Sequence, residues 1–338
     1  MNFVKIVAVA LAGAVAIAPT TSEAGVGRKA LVFGTVGGLA LTALVRAATA
    51  VASKPACDPL NPPRAVRDYV ANIDFVLRMA NASSSVYSSY LIRAPHQKWE
   101  SATNEYREFG RTESGLDYFI MEERDNNQLV VAFRGTQNLS DWKQNYLQAV
   151  GQETPYFEEA LKMVQELASS PEDVSEAKRR PDFRRHEIVL TGHSLGGGVA
   201  TYVGLVLGVR VVAFDSFRLH LTTLRRAVAH NKLFFAKAEV GSTFLSERLI
   251  DELYGIVQVR ARWDDMSSST TPRAAFRTAS LGFKFWLPGM SSVPVANHSM
   301  DVLRDRIAQD AAALKDSGGG TNAYRLACAN YYGPDPFI

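Results

Sequence analysis

A serine hydroxyl becomes a useful nucleophile only when a base can take its proton and an acid can steady that base. Gly192-His193-Ser194-Leu195-Gly196 offers such a serine. The pattern alone says little, because G-x-S-x-G arises by chance in roughly one chain in ten of this length. Its flanks say more. Glu187 to Thr191 is a short apolar run, and Leu195 to Leu207 follows it with the pattern of a helix. A strand that stops abruptly, a serine in the turn and a helix directly behind it hold a nucleophile up in a strained elbow. Backbones approach closely there, so the residues two before and two after the serine must be small. Gly192 and Gly196 meet that need, with His193 between the first glycine and the serine. The helix start also brings backbone N–H groups and partial positive charge beside the hydroxyl.

In a fold built around such an elbow the acid and then the histidine follow the serine along the chain. Of six histidines, His96, His186 and His193 precede Ser194. His220 and His230 come before a suitable acid. His298 follows a polar loop and directly precedes a helical pattern from Met300 to Leu314, which makes it the candidate base. The acid belongs just past a later strand. Asp264 and Asp265 both follow the β-rich run Tyr254 to Ala261, and spacing does not separate them. Asp215 ends the strand immediately after the elbow helix, one strand too early, and Asp251 lies in a helical pattern. An oxyanion formed by attack on a carbonyl needs two preorganised donors. The N–H of Leu195 is one candidate. Thr136, after Val130-Val131-Ala132-Phe133-Arg134-Gly135, is the other, through its N–H, its hydroxyl or both.

The elements that must position these residues alternate. Leu116 to Glu122 and Gln128 to Phe133 read as a hairpin, and Val209 to Phe214 and Tyr254 to Ala261 as further strands. Helical spacing marks Arg64 to Ala80, Asp141 to Ala149 and Pro155 to Ala168. Pro171 to Arg185 reads as a charged, solvated connection. Strands alternating with helices predict an α/β protein with a mostly parallel central sheet and helices on both faces.

Val130 to Thr136 followed by Asp141-Trp142, together with Thr191 to Gly197, resembles the class 3 lipases of the α/β-hydrolase superfamily, over roughly residues 105–303. The resemblance implies Ser194 as nucleophile, Thr136 and Leu195 as oxyanion donors, and His298 as base. It favours Asp264 over Asp265, because the family's acid stands in an Asp-x-aliphatic segment and Asp264-Asp265-Met266 fits that pattern. It also implies a lipid or other ester substrate, an acyl-enzyme mechanism needing no metal or organic cofactor, and a lid. The lid falls on Trp142 to Gln152. Phe234, Phe235, Phe244 and Leu245, and Phe283, Phe285, Trp286 and Leu287, are core or acyl-site residues. Phe214-Asp215-Ser216-Phe217-Arg218 replaces the usual Gly-x-Pro-Arg, the histidine segment after Asp-Trp is missing, and Asn231 to Leu253 reads as an insertion. Those departures bear on substrate class more than on mechanism. A small-ester esterase, thioesterase or acyltransferase is the rival, and a non-catalytic envelope binding protein a more distant one.

Composition narrows the setting. With 37 basic and 34 acidic residues the net charge is +3, and no basic block interleaved with aromatics suggests a nucleic-acid partner. Residues 1–24 carry Lys5, an apolar core and Ser22-Glu23-Ala24, the pattern of an export signal. Residues 25–63 hold a second apolar stretch, Ala30 to Ala52, and a proline-rich linker. The uninterrupted part of that stretch is slightly short for a span of about 17 to 25 residues, so it suits a membrane-surface segment or a packed helix equally. The catalytic domain is expected over 64–338, exported, with Cys57 and Cys328 joining its two ends.

Overall fold

The computed structural model describes residues 57–87, 97–100, 106–137, 139–169, 186–230, 255–261, 278–279, 283–287 and 298–330. All of them belong to one compact unit, Pro55–Ile338. The export signal, the apolar stretch Ala30 to Ala52, the connection Pro171 to Arg185 and the insertion Asn231 to Leu253 lie outside the described residues.

Eight strands form the central sheet. In chain order they are β1 (Gln97–Glu100), β2 (Tyr106–Arg111), β3 (Asp117–Glu123), β4 (Gln128–Phe133), β5 (Glu187–His193), β6 (Arg210–Phe214), β8 (Ile256–Ala261) and β10 (Phe283–Leu287). A separate antiparallel pair joins β7 (Leu219–His220) to β9 (Thr278–Ala279). The spatial order of the main sheet is β1-β2-β3-β4-β5-β6-β8-β10. Strands β1 to β4 pair antiparallel, and from β4 to β10 every pair is parallel. This is the mostly parallel central sheet that the sequence predicts.

Apolar side chains leave both faces of the central strands, which is why those strands read as continuous hydrophobic runs. Leu129, Val131 and Phe133 of β4 join Leu190, Val211 and Ala213 on one face. Helices α4 (Pro155–Ala168), α5 (Leu195–Leu207) and α6 (Leu221–His230) cover that face. Val130 and Ala132 join Val189, Val212, Phe214 and Val259 on the other. There the cover is α1 (Arg64–Ala71), α2 (Ile73–Ser85), α7 (Met300–Asp316) and α8 (Gly320–Asn330). The remaining helix, α3 (Leu139–Ala149), follows the turn after β4.

Two details differ from expectation. The helix predicted over Arg64 to Ala80 breaks at Asn72, whose side-chain amide donates to the Asp68 carbonyl (2.8 Å) and whose φ is −117°. A short polar side chain that bonds nearby backbone competes with helix continuation. The elbow strand runs on to His193 instead of stopping at Thr191. Cys57 and Cys328 form a disulfide across 271 residues of chain, as expected. Among the described residues no helix is long and apolar enough to cross a membrane.

Candidate active site

Ser194 stands between β5 and α5 with φ 57° and ψ −123°, a left-handed conformation that a non-glycine residue adopts only when its surroundings enforce it. Its N–H donates to the Phe214 carbonyl (3.0 Å), and its own carbonyl accepts from Gly198 and Phe217 (3.1 and 2.9 Å). The packing around it explains the glycines. A Cβ at Gly192 would lie 2.4 Å from the Gly196 oxygen, and one at Gly196 would lie 2.1 Å from the Phe133 oxygen. The first neighbour belongs to α5 and the second to β4, so neither can move aside without moving a whole element.

His298, just ahead of α7, brings its Nε2 to 2.8 Å from the Ser194 Oγ. That is the separation a nucleophile and its base require. Leu195 is the first residue of α5 and is buried. The first four N–H groups of a helix have no partner inside it, so the Leu195 N–H sits at the donor-rich end beside Ser194.

Thr136 lies on the turn after β4, and side chains from other segments hold that turn. Asn145 of α3 donates its amide to the Thr136 Oγ1 (2.7 Å). Asp141 accepts the Gln137 N–H (2.7 Å) and is itself bonded by the buried Tyr156 hydroxyl (2.5 Å). Arg134 pairs with Asp117 of β3. The Gly135 N–H donates to the Tyr87 hydroxyl (2.9 Å), which also meets the Nδ1 of His193 (2.8 Å). A Cβ at Gly135 would strike that hydroxyl at 2.4 Å and approach the Ser194 Cβ to 3.0 Å. Elbow and turn are thus in contact.

Asp264 and Asp265 lie outside the described residues. Asp215, set one strand too early by sequence, stands at the site. It is fully buried at φ 42°, its Oδ1 accepts the Ala261 N–H (2.7 Å), and its N–H donates to the Val259 carbonyl (2.9 Å). A carboxylate oxygen of Asp215 and a ring nitrogen each of His193 and His298 lie within 4.8 Å of one another. Among the described residues these three form the one histidine–carboxylate group with metal-ligand character. Here His298 Nε2 already faces Ser194, and His193 Nδ1 faces Tyr87, which suits proton handling.

Sequence does not single out Tyr87, Asn145 or Asp215 as members of the site. Tyr87 is 106 residues from His193 and belongs to no motif. Asn145, nine residues from Thr136, sits within the helical pattern after the turn, and its spacing is the one signal that could have drawn attention to it. The expected lid segment is turned inside out. Along α3, Asp141, Gln144, Asn145 and Gln148 are buried, while Trp142 (50% exposed), Lys143 and Tyr146 (66%) face outward, as does Val150 (40%) just past its end. Of the expected acyl-site residues, Phe234, Phe235, Phe244 and Leu245 lie outside the described residues, and Leu287 is buried at the end of β10.

Residues 78–240 match a phospholipase-like family model, the Tle-like phospholipase domain. The chain is 31% identical over 102 residues to a protein of Serratia liquefaciens named extracellular phospholipase A1. That match covers 30% of this chain and 28% of the relative's length. Solved structures with a similar course include the Rhizomucor miehei lipase in its propeptide complex, with TM-score 0.39 and 12% identity, covering 70% of this chain and 79% of that one. Lipase II of Rhizopus niveus has TM-score 0.40 and 13% identity, covering 64% of this chain and 80% of that one. The folded body of the chain is a mostly parallel α/β sheet carrying a strand–serine–helix elbow, and its residues 78–240 match the phospholipase-like family model.

Proposed function

We propose that the protein is a serine carboxylic-ester hydrolase acting on lipid esters, a phospholipase or lipase that works through an acyl-enzyme. The observation that carries this reading is the 2.8 Å approach of His298 Nε2 to a Ser194 Oγ held at positive φ. As Ser194 attacks the ester carbonyl, its proton passes to His298 Nε2. The negative charge that develops on the carbonyl oxygen is met by the Leu195 N–H and by Thr136. The tetrahedral intermediate collapses, and His298 returns the proton to the leaving alcohol. Water then repeats the sequence on the acyl-serine and releases the acid.

The family pattern supports Asp264 as the residue that orients His298. A second reading, favoured by the cluster within 4.8 Å, gives that role to Asp215. The two are separable by turnover, because losing the orienting carboxylate costs on the order of 10⁴-fold in kcat. D264N is expected to show that loss and D215N a smaller one, and the reverse ranking transfers the role to Asp215.

A lipid substrate is supported by α3. A segment that buries polar side chains while Trp142, Tyr146 and Val150 stand exposed beside Lys143 is well matched to a lipid aggregate with acyl chains under a polar surface. The name of the Serratia relative and the matching family both point the same way. The disulfide suits an oxidising compartment, and with the N-terminal pattern it supports export. Approach to a membrane surface, through α3 or through Ala30 to Ala52, belongs to the same proposal.

Fluorophosphonate labelling tests the nucleophile. Wild type should label and Ser194→Ala should not, and an unlabelled, folded wild type defeats the hydrolase reading. Esters of rising chain length, offered dissolved and as phospholipid vesicles, test the substrate class. Replacing both Trp142 and Tyr146 by serine should reduce vesicle hydrolysis roughly tenfold or more and leave dissolved short esters unaffected. Equal loss on both would place these residues in general catalysis instead of lipid contact.

A further inference from the structure

The hydroxyl of Tyr87 belongs to none of the roles above, yet it bonds to both the elbow and the oxyanion turn. It is held by two bonds of different kind. The Gly135 N–H donates to it at 2.9 Å, which engages an oxygen lone pair. The second contact, 2.8 Å to His193 Nδ1, is then the natural outlet for its own proton. Burial pushes the Tyr87 hydroxyl well above the ordinary titration range of tyrosine, so the proton needed for that second bond is retained. A His193 ring that accepts at Nδ1 carries its N–H on Nε2.

We infer that Tyr87 is a positioning residue that locks the oxyanion turn to the nucleophile elbow through a directed chain, Gly135 N–H to Tyr87 hydroxyl to His193 Nδ1. The chain fixes the distance between two parts of the site that come from different strands. Gly135 precedes Thr136, and His193 precedes Ser194, so each bond acts on the neighbour of a reacting group. Space at the junction is filled as well as bonded, since a Cβ on Gly135 would meet this hydroxyl before anything else. The tyrosine hydroxyl is therefore a spacer as well as a tether. Beyond it, the His193 ring lies with its centroid 4.7 Å from that of His298. A tilt of His193 would also disturb the base.

This inference rests on the hydrolase reading, and the test keeps the two apart. Active sites are counted by fluorophosphonate labelled to completion, and kcat per labelled site and KM are measured on a dissolved short-chain ester. Failure of wild type to label removes the hydrolase reading itself. If wild type labels, Tyr87→Phe, which keeps the ring and removes only the hydroxyl, should lower kcat per labelled site roughly tenfold with KM within about twofold of wild type. That is less than the 100- to 1000-fold loss of a whole oxyanion donor, because the donors survive and only their placement relaxes. An unchanged kcat per labelled site overturns the inference. A fall only in melting temperature or in labelled fraction also overturns it, since that outcome marks a purely structural tyrosine.

The same chain can be cut at its other end. His193→Asn keeps an amide oxygen near the place of Nδ1 and should turn over faster per labelled site than His193→Leu, although both lose the ring beside His298. His193→Leu cannot accept, and the double variant Y87F/H193L should be no worse than H193L alone. Equal activity of the asparagine and leucine variants overturns the directed bond, and this pair decides the matter if Tyr87→Phe does not fold.

Discussion

In the proposed mechanism the elbow and the oxyanion turn face the same substrate carbonyl, but they are built on opposite principles. Around Ser194 the backbone does the positioning. Its N–H and carbonyl are all tied to other backbone groups, and Gly192 and Gly196 let main chains pass at distances no side chain permits. Around Thr136 the side chains do it, with Tyr87, Asp117, and the pair Asp141 and Asn145 brought in from three separate stretches of chain. A backbone-built device tolerates almost no substitution and leaves its mark in adjacent residues. One built from side chains can be tuned a bond at a time, and its parts are scattered. The first sets where the nucleophile is; the second sets how well the developing charge is received.

That contrast is easiest to break at Gly196. Alanine there would drive a Cβ against the Phe133 carbonyl, a backbone atom of the central strand, so Gly196→Ala should cost about 3 kcal/mol or more and abolish fluorophosphonate labelling. Thermal unfolding and labelling check both. A labelled, stable alanine variant shows that the elbow has room to shift. On the other side, Thr136→Val should leave folding intact and lower kcat on the order of 100-fold, by removing the hydroxyl while retaining the N–H. Asn145 sharpens this further. Its amide donates to the Thr136 Oγ1, which leaves the threonine's proton available for an oxyanion. Asn145→Asp can only accept, takes that proton, and should approach the loss seen in Thr136→Val. Asn145→Ala frees the hydroxyl without claiming its proton and should fall between wild type and the aspartate variant. If Asn145→Asp matches wild type, the Thr136 N–H serves alone.

The same difference explains what sequence revealed. Ser194, Gly192 and Gly196 are neighbours whose types follow from one steric demand, so the elbow was legible. His298 was found by chain order, and its approach to Ser194 agrees. The sheet was legible because strands buried on both faces leave uninterrupted apolar runs such as Leu129 to Phe133. Tyr87 had no such mark. A tyrosine after a run of serines is ordinary, and only folding of α2 onto β4 and β5 brings it under Gly135. Counting strands sets Asp215 aside, yet it bridges the ends of the parallel strands β6 and β8 beside both histidines. The break at Asn72 was hidden because apolar spacing continues across it, and one side-chain bond to Asp68 decides the matter.

The smallest effect on chemistry is expected from the largest covalent constraint. Cys57 and Cys328 tie the segment before α1 to α8, and both residues pack on the face of the sheet that α2 and α7 cover. Cross-linking residues this far apart in sequence restricts the unfolded chain strongly, and removal of such a bridge costs about 2 to 5 kcal/mol. Replacing both cysteines by serine should therefore lower the melting temperature clearly while kcat per labelled site, measured well below that temperature, stays within about twofold. The reason lies in the comparison above. Neither the backbone bonds of the elbow nor the side-chain bonds of the turn include a residue of α1 or α8. His298 is the exception to watch, because it stands at the start of α7, which shares that face with the disulfide. A drop in turnover per site with labelled serine intact would mean that the bridge also holds the base in place. The site would then have a third support, covalent and remote, beside the two that Ser194 and Thr136 already show.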